Sequence, residues 1–311
     1  MSLRVILAGI TAATALGAQD PAPSFRADVS LVHVDAEVTD GTRVLSGFHK
    51  DDFLITDNRV PQKILYFSQE EEPLDLILLF DISGSMKFSV AKVAESAHTS
   101  WSELRPGDRI AVMRFHRGAT LVSDFTEDRD AVERSLQQVV EGKFGGGTRI
   151  LAAVDAAAQL FLNQPRSRRR RAILAITDDF GQRSRRPGTV INRLWEADAL
   201  LSGLIIRSAG ATAIATVSAA TNPLVLALHE GIGGVSEKTG GDVIKAEDPG
   251  ESFREMMRRI RLRYSLYYAA PESKPGDKRD VKVTLTEEAA RLHPGARVRA
   301  RKGYRASNPI Q

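Results

Sequence analysis

The chain has 311 residues, 42% hydrophobic and 26% charged, a composition that supports a sizeable core and excludes collagen-like, coiled-coil and wholly disordered architectures. Its 43 lysines and arginines against 39 aspartates and glutamates leave a net charge of +4, too small a surplus to point to nucleic acid. There is no cysteine, which removes disulfides, thiolate zinc sites, iron–sulfur clusters and cysteine nucleophiles.

Residues 1–18 place one cation, Arg4, before an uncharged apolar run with small residues at Ala13, Ala15 and Ala18. This is the layout of a cleaved signal peptide, too short to span a bilayer, and predicts an exported protein, periplasmic or secreted. No later stretch reaches the apolar length of a transmembrane helix.

Residues 25–70 follow a period of two. Val32, Val34, Ala36 and Val38 alternate with polar residues, Asp40-Gly41 signals a turn, and Phe53–Ile55 and Lys63–Phe67 supply further short strands, with Pro61 favouring an edge. From 72 to 262 the pattern changes to buried strands alternating with amphipathic helices. Leu76–Phe80 and Ala172–Ile176 are continuous apolar runs, as in strands covered on both faces. A helix carries Val90, Val93, Ala97 and Trp101, a hairpin joins Ile110–Phe115 to Ala119–Phe125, and helices are predicted over Asp128–Val140, Ile150–Phe161 and Val190–Leu200. Leu204–Ile206 and Asp242–Ala246 read as the remaining strands, and Phe253, Met256, Met257 and Ile260 line a last helix. Arg166–Arg171 holds five arginines in six positions and reads as a solvated loop, while the scattered histidines receive no role. From 264 to 306 strand spacing returns at Tyr264, Leu266 and Tyr268, at Val281, Val283 and Leu285, and at Val298 and Ala300. The expected fold class is therefore α/β, a doubly wound, mostly parallel sheet inserted between terminal strands that pool into one small β-sandwich.

Chemistry-bearing residues sit where the buried strands end. Asp81, Ser83 and Ser85 follow the first, with Gly84 allowing a tight turn; Asp178 and Asp179 follow the second; and Gly145-Gly-Gly-Thr148 lies between. In open α/β sheets, ligands bind beyond the carboxyl ends of the strands. Oxygen donors from three loops, with no cysteine or histidine, suit a hard divalent cation: magnesium, with manganese or calcium as alternatives.

Together, Asp-x-Ser-x-Ser after a buried strand, the Gly-Gly-Thr loop 63 residues beyond Ser85, and the Thr-Asp turn 30 residues further on resemble the von Willebrand factor type A domain with its metal-ion-dependent adhesion site. The resemblance covers roughly 72–262. It implies that Ser83, Ser85 and Thr148 bind the cation directly or nearly so, that Asp81 and Asp178 act directly or through water, and that the last helix can shift when the site is occupied. The family usually has glycine after the last aspartate; here Asp179 stands there, as a further metal ligand or a solvated carboxylate. An Asp52-Phe53…Asp57 segment and a Tyr264-x-Leu266-x-Tyr268 tail resemble the flanks of secreted bacterial proteins of this type. The implied function is a non-enzymatic, cation-dependent adhesion module whose partner protein presents an Asp or Glu carboxylate. A metal-dependent hydrolase or phosphatase, and a scaffold with a degenerate metal site, are the alternatives. Oligomeric state is not readable.

Overall fold

The computed structural model describes residues 30–69, 71–165, 167–181, 185–206 and 231–306; the leader at 1–18 lies outside them. The first described strands are β1 (Leu31–Asp40), β2 (Arg43–Leu45), β3 (Phe53–Asp57), β4 (Val60–Gln62) and β5 (Ile64–Gln69). The α/β part runs through β6 (Leu74–Asp81), α1 (Lys87–Ser100), β7 (Arg109–Phe115), β8 (Ala119–Thr126), α2 (Arg129–Glu141) and α3 (Ile150–Leu162). It continues through β9 (Arg170–Thr177), α4 (Pro187–Glu196), β10 (Ala199–Ile206), α5 (Ile232–Thr239), β11 (Val243–Ala246) and α6 (Pro249–Arg261). β12 (Tyr264–Ala269), β13 (Lys278–Leu285), α7 (Glu287–Leu292), β14 (Ala296–Ala300) and β15 (Gly303–Arg305) follow.

The central sheet has the order β11-β10-β9-β6-β7-β8. All neighbours are parallel except the β7–β8 hairpin, so the sheet is mixed and mostly parallel. Every residue of β6, β9 and β10 is buried, because helices cover both faces. The pleat sorts β6 accordingly: Leu76, Leu78 and Phe80 pack with α1, α2 and α6, while Ile77 and Leu79 pack with α3, α4 and α5.

The terminal strands interleave. One sheet runs β14-β1-β12-β5 with β2 beside β1, and another runs β15-β13-β3-β4. Val34, Ala36, Ile55, Leu266, Tyr268 and Val283 share one apolar cluster between them. The two flanking motifs of the sequence meet in that core, where the Tyr268 hydroxyl donates to Asp57 Oδ2 at 2.8 Å and Arg279 Nε donates to Asp57 Oδ1 at 2.7 Å. At the base of the α/β part its two ends touch, Arg261 Nη1 donating to the Glu72 carbonyl at 2.7 Å across 189 residues.

Three sequence expectations need correction. The helix expected over 190–200 ends at Glu196, and Ala199 and Leu200 already belong to β10. Asp198 exits the helix at a φ of 51°, and the apolar run of the strand follows at once, so the two hydrophobic patterns merge in sequence. The arginine run is no solvated loop beyond residue 169, since Arg170 and Arg171 open β9 and are buried. Arg170 donates through Nε to Asp35 at 2.8 Å, through Nη2 to the Ile260 carbonyl at 2.7 Å and through Nη1 to the Arg261 carbonyl at 3.2 Å. It thus ties the last turn of α6 to β1. Lastly, His33 has a definite place, half-buried between Asp35 and Asp198 with Nδ1 3.1 Å from Asp198 Oδ2.

Candidate metal centre

Three chain segments converge at the carboxyl end of the central sheet. The first begins as β6 stops. The Ile82 N–H donates to the Phe115 carbonyl at 2.9 Å, extending the β7 pairing by one residue, and the Met86 N–H donates to the Ser83 carbonyl at 3.0 Å to close a single 3₁₀ turn. Met86 is fully buried and anchors that turn, so the serines on either side of Gly84 are held near the sheet end.

Asp81 is buried and fixed from two sides. Its Oδ1 accepts the Ser83 N–H at 2.8 Å, an Asx-type turn, and its Oδ2 accepts the Thr177 hydroxyl at 2.8 Å. The parallel register Phe80↔Ile176 brings the next residues of both strands together. Ser83 Oγ and Ser85 Oγ lie 3.2 Å apart, and Ser85 Oγ donates to Asp178 Oδ2 at 2.6 Å. The Phe180 N–H donates to Asp178 Oδ1 at 3.0 Å. Asp81, Ser83, Ser85 and Asp178 are therefore neighbours in one hydrogen-bonded cluster.

Thr148 arrives on the third segment. It is buried, and Gly181 packs against it so closely that a Cβ there would sit 2.7 Å from the Thr148 carbonyl oxygen and 3.1 Å from its Cγ2. The Gly145 N–H donates to the Ile82 carbonyl and the Arg149 N–H to the His116 carbonyl, both at 2.9 Å, tying this loop to the first segment and to the β7–β8 turn.

Asp179 points elsewhere. Its Oδ1 accepts the Ile232 N–H at 3.1 Å, at the start of α5, and a Cβ on Gly231 would collide with its carboxylate. Its φ of 56° is the left-handed conformation that glycine adopts freely. Aspartate tolerates that region better than most residues, and a carboxylate at a helix N-terminus offsets part of the strain.

Thr177 is the residue the sequence reading passed over. Its hydroxyl donates to Asp81 and accepts the Asp179 N–H at 3.0 Å, so it positions both ends of the turn. The available signal was a hydroxyl as the last residue of a buried apolar strand.

Burial pushes the Asp81 carboxyl up to about 6, helped by the nearby Asp178 charge and opposed by the Ser83 and Thr177 hydrogen bonds. Among the described residues neither Asp81 nor Asp178 has a lysine or arginine at ion-pair distance, and no group of three or more His, Cys, Asp or Glu residues could hold a metal without hydroxyl donors. The Ser85 hydroxyl donates its hydrogen bond to Asp178.

Residues 76–182 match the family model of the von Willebrand factor type A domain, and the chain carries such a domain, a fold that serves generally as a protein-interaction module. Among solved structures, the conserved hypothetical protein BatB from Bacteroides thetaiotaomicron is similar at 16% identity, over 60% of this chain and 97% of that one, with a TM-score of 0.45. A von Willebrand factor type A protein from Catenulispora acidiphila is similar at 11% identity, over 89% of this chain and 75% of that one, with a TM-score of 0.48. Proximal thread matrix protein 1 from the mussel byssus, with a zinc-occupied MIDAS motif, is similar at 15% identity, over 45% of this chain and 39% of that one, with a TM-score of 0.38. No curated protein matches the chain.

Proposed function

We propose that this protein is a cation-dependent protein-binding module. Ser83, Ser85 and Thr148 hold a divalent cation, magnesium first and manganese or calcium otherwise, and Asp81 and Asp178 complete its surroundings directly or through water. Bound there, the cation supplies a Lewis-acidic position that an Asp or Glu carboxylate of a partner protein can occupy. The observation that carries this reading is the Asp81–Ser83–Ser85–Asp178 cluster, two carboxylates and two hydroxyls within hydrogen-bond reach and, among the described residues, with no cationic side chain at ion-pair distance. An oxygen-only donor set of this kind suits hard cations. Asp179 is left out of the set because its carboxylate is engaged at α5.

Thr177 and the Ser83 amide keep the Asp81 carboxylate aimed, and Gly181 keeps the Thr148 loop seated. Calorimetric titration with magnesium chloride tests the assignment. Wild type binds one cation, Asp81→Ala and Ser85→Ala lose binding at least tenfold, and Gly181→Ala weakens it by moving Thr148. Unchanged magnesium affinity in both Asp81→Ala and Ser85→Ala overturns it. Export is part of the same proposal and rests on the apolar leader at 1–18; N-terminal sequencing of the mature chain checks it. Among the described residues no helix is long and apolar enough to cross a membrane.

A further inference from the structure

Beside the candidate centre lies a cavity of about 380 Å³, lined in part by Ile82, Arg114, His116, Glu141, Gly142 and Lys143. Ile82 stands between Asp81 and Ser83, and its carbonyl holds the Gly145 N–H, so cavity and centre share one wall of chain. Arg114 leaves β7 and lies across the end of α2, where a Cβ on Gly142 would come 2.8 Å from its Nη1. Glycine at 142 is what gives the guanidinium that position.

The charge in this cavity is unbalanced. Among the described residues neither Arg114 nor Lys143 takes part in an ion pair or a side-chain hydrogen bond, whereas the one carboxylate of the wall, Glu141, accepts from Gln137 Nε2 at 2.8 Å. Elsewhere in the fold half-buried arginines are engaged, as Arg109 is with Asp75 at 2.7 Å. A half-buried guanidinium that faces a cavity where two basic side chains meet one carboxylate, and that itself has no ion-pair partner among the described residues, is suited to bind an anion, and its fork geometry favours a carboxylate.

We infer that this cavity receives a second acidic side chain from the partner, so that the ligand is an acidic peptide segment read at two points. One carboxylate sits at the cation centre, and a neighbouring one pairs with Arg114 and Lys143. The inference rests on the cation-dependent reading for its first point only; the second is a property of the cavity.

The test uses the full chain at physiological ionic strength and two synthetic probes, hexaglutamate and Gly-Gly-Glu-Gly-Gly. In magnesium, wild type binds hexaglutamate at least tenfold more tightly than the single-acid peptide. Arg114→Ala and Lys143→Glu each shrink that ratio by five-fold or more, while magnesium affinity measured alone stays unchanged. Lys282→Glu, an equal charge change on the exposed surface of β13, leaves the ratio intact. A ratio that survives both cavity substitutions, or that falls equally in Lys282→Glu, overturns the inference. Failure of magnesium to bind wild type overturns the cation reading instead, and the same ratio measured in EDTA then judges the cavity by itself.

Discussion

Asp75 and Asp81 lie on one strand, about 20 Å apart at ~3.3 Å per residue, and they are 1% and 0% exposed. At the amino end of the strand, Asp75 is held by Arg109 at 2.7 Å and Arg169 at 2.6 Å. Around it the carboxylates are matched as well, the buried Glu37 by Arg299 and Asp242 by Arg259, and the half-buried Asp35 by Arg170. At the carboxyl end, Asp81 receives one amide and one hydroxyl, and Asp178 the same. Equal burial thus comes with opposite electrostatics. Where the α/β part meets the sandwich, charge is cancelled and the junction is fixed; at the opposite end, among the described residues, the two carboxylates have no basic side chain at ion-pair distance. A buried group without its counter-charge costs stability, and such sites are expected where function needs them.

The matched pair of substitutions should separate the two ends most widely. Asp75→Asn leaves Arg109 and Arg169 without their counter-ion and is expected to cost about 3–5 kcal/mol in urea unfolding. Asp81→Asn, measured in chelator, should cost only about 1 kcal/mol, since no counter-ion is stranded and the Ser83 amide keeps its acceptor, although Thr177 must turn its hydroxyl to accept from the new NH2 group. Comparable losses at both positions would erase the contrast.

The junction also predicts a pH dependence. Burial by itself lowers the affinity of His33 for its proton, but the Asp35 and Asp198 carboxylates outweigh it and raise the pKa to about 10. Because the folded value lies above the ordinary 6.5, this stabilisation is complete below about pH 6.5 and is lost as pH rises toward 10. Wild type should therefore lose on the order of 2–4 kcal/mol over that interval relative to His33→Gln, whose profile should be flatter. Parallel profiles would remove His33 from the account.

At the other end, magnesium at a hundred times its dissociation constant should stabilise wild type by about 2.7 kcal/mol and Asp81→Asn hardly at all, read as a shift in thermal midpoint. The smallest effect is expected at Asp179. Glycine there would relieve the left-handed backbone but lose the bond to the Ile232 amide, for a net loss of roughly 0.5–1 kcal/mol with magnesium affinity retained. A large loss of magnesium affinity in Asp179→Gly would return that carboxylate to the cation.

The central sheet was legible because its buried strands are uninterrupted apolar runs, and the sandwich strands because they alternate. Asp81, Ser83, Ser85 and Asp178 were legible because they follow such runs directly, where chain direction alone dictates which end of the sheet they reach. The boundary at 196–199 was hidden because helix and strand hydrophobicity abut without a glycine or proline between them. Arg170, Arg171 and His33 were misread for a different reason. A charged residue buries only when its counter-ion comes from elsewhere in the chain, and the partners of Arg170 lie 135 and 90 residues away. Periodicity carries no record of such pairings. The direction of Asp179 was equally beyond reach, since the amide it binds belongs to a helix 53 residues downstream.

The bond between Arg261 and the Glu72 carbonyl bears on the order in which the molecule assembles. β1 pairs with β12 and β14, strands that a ribosome makes only after the whole intervening domain, so its apolar stripe has no lasting cover while synthesis proceeds. Bridging 189 residues of unstructured chain would cost roughly 5 kcal/mol of closure entropy. Once the inserted domain has folded, its two ends already touch and most of that cost has been met. The sandwich is then a late event, nucleated by a neighbour rather than by its own turns.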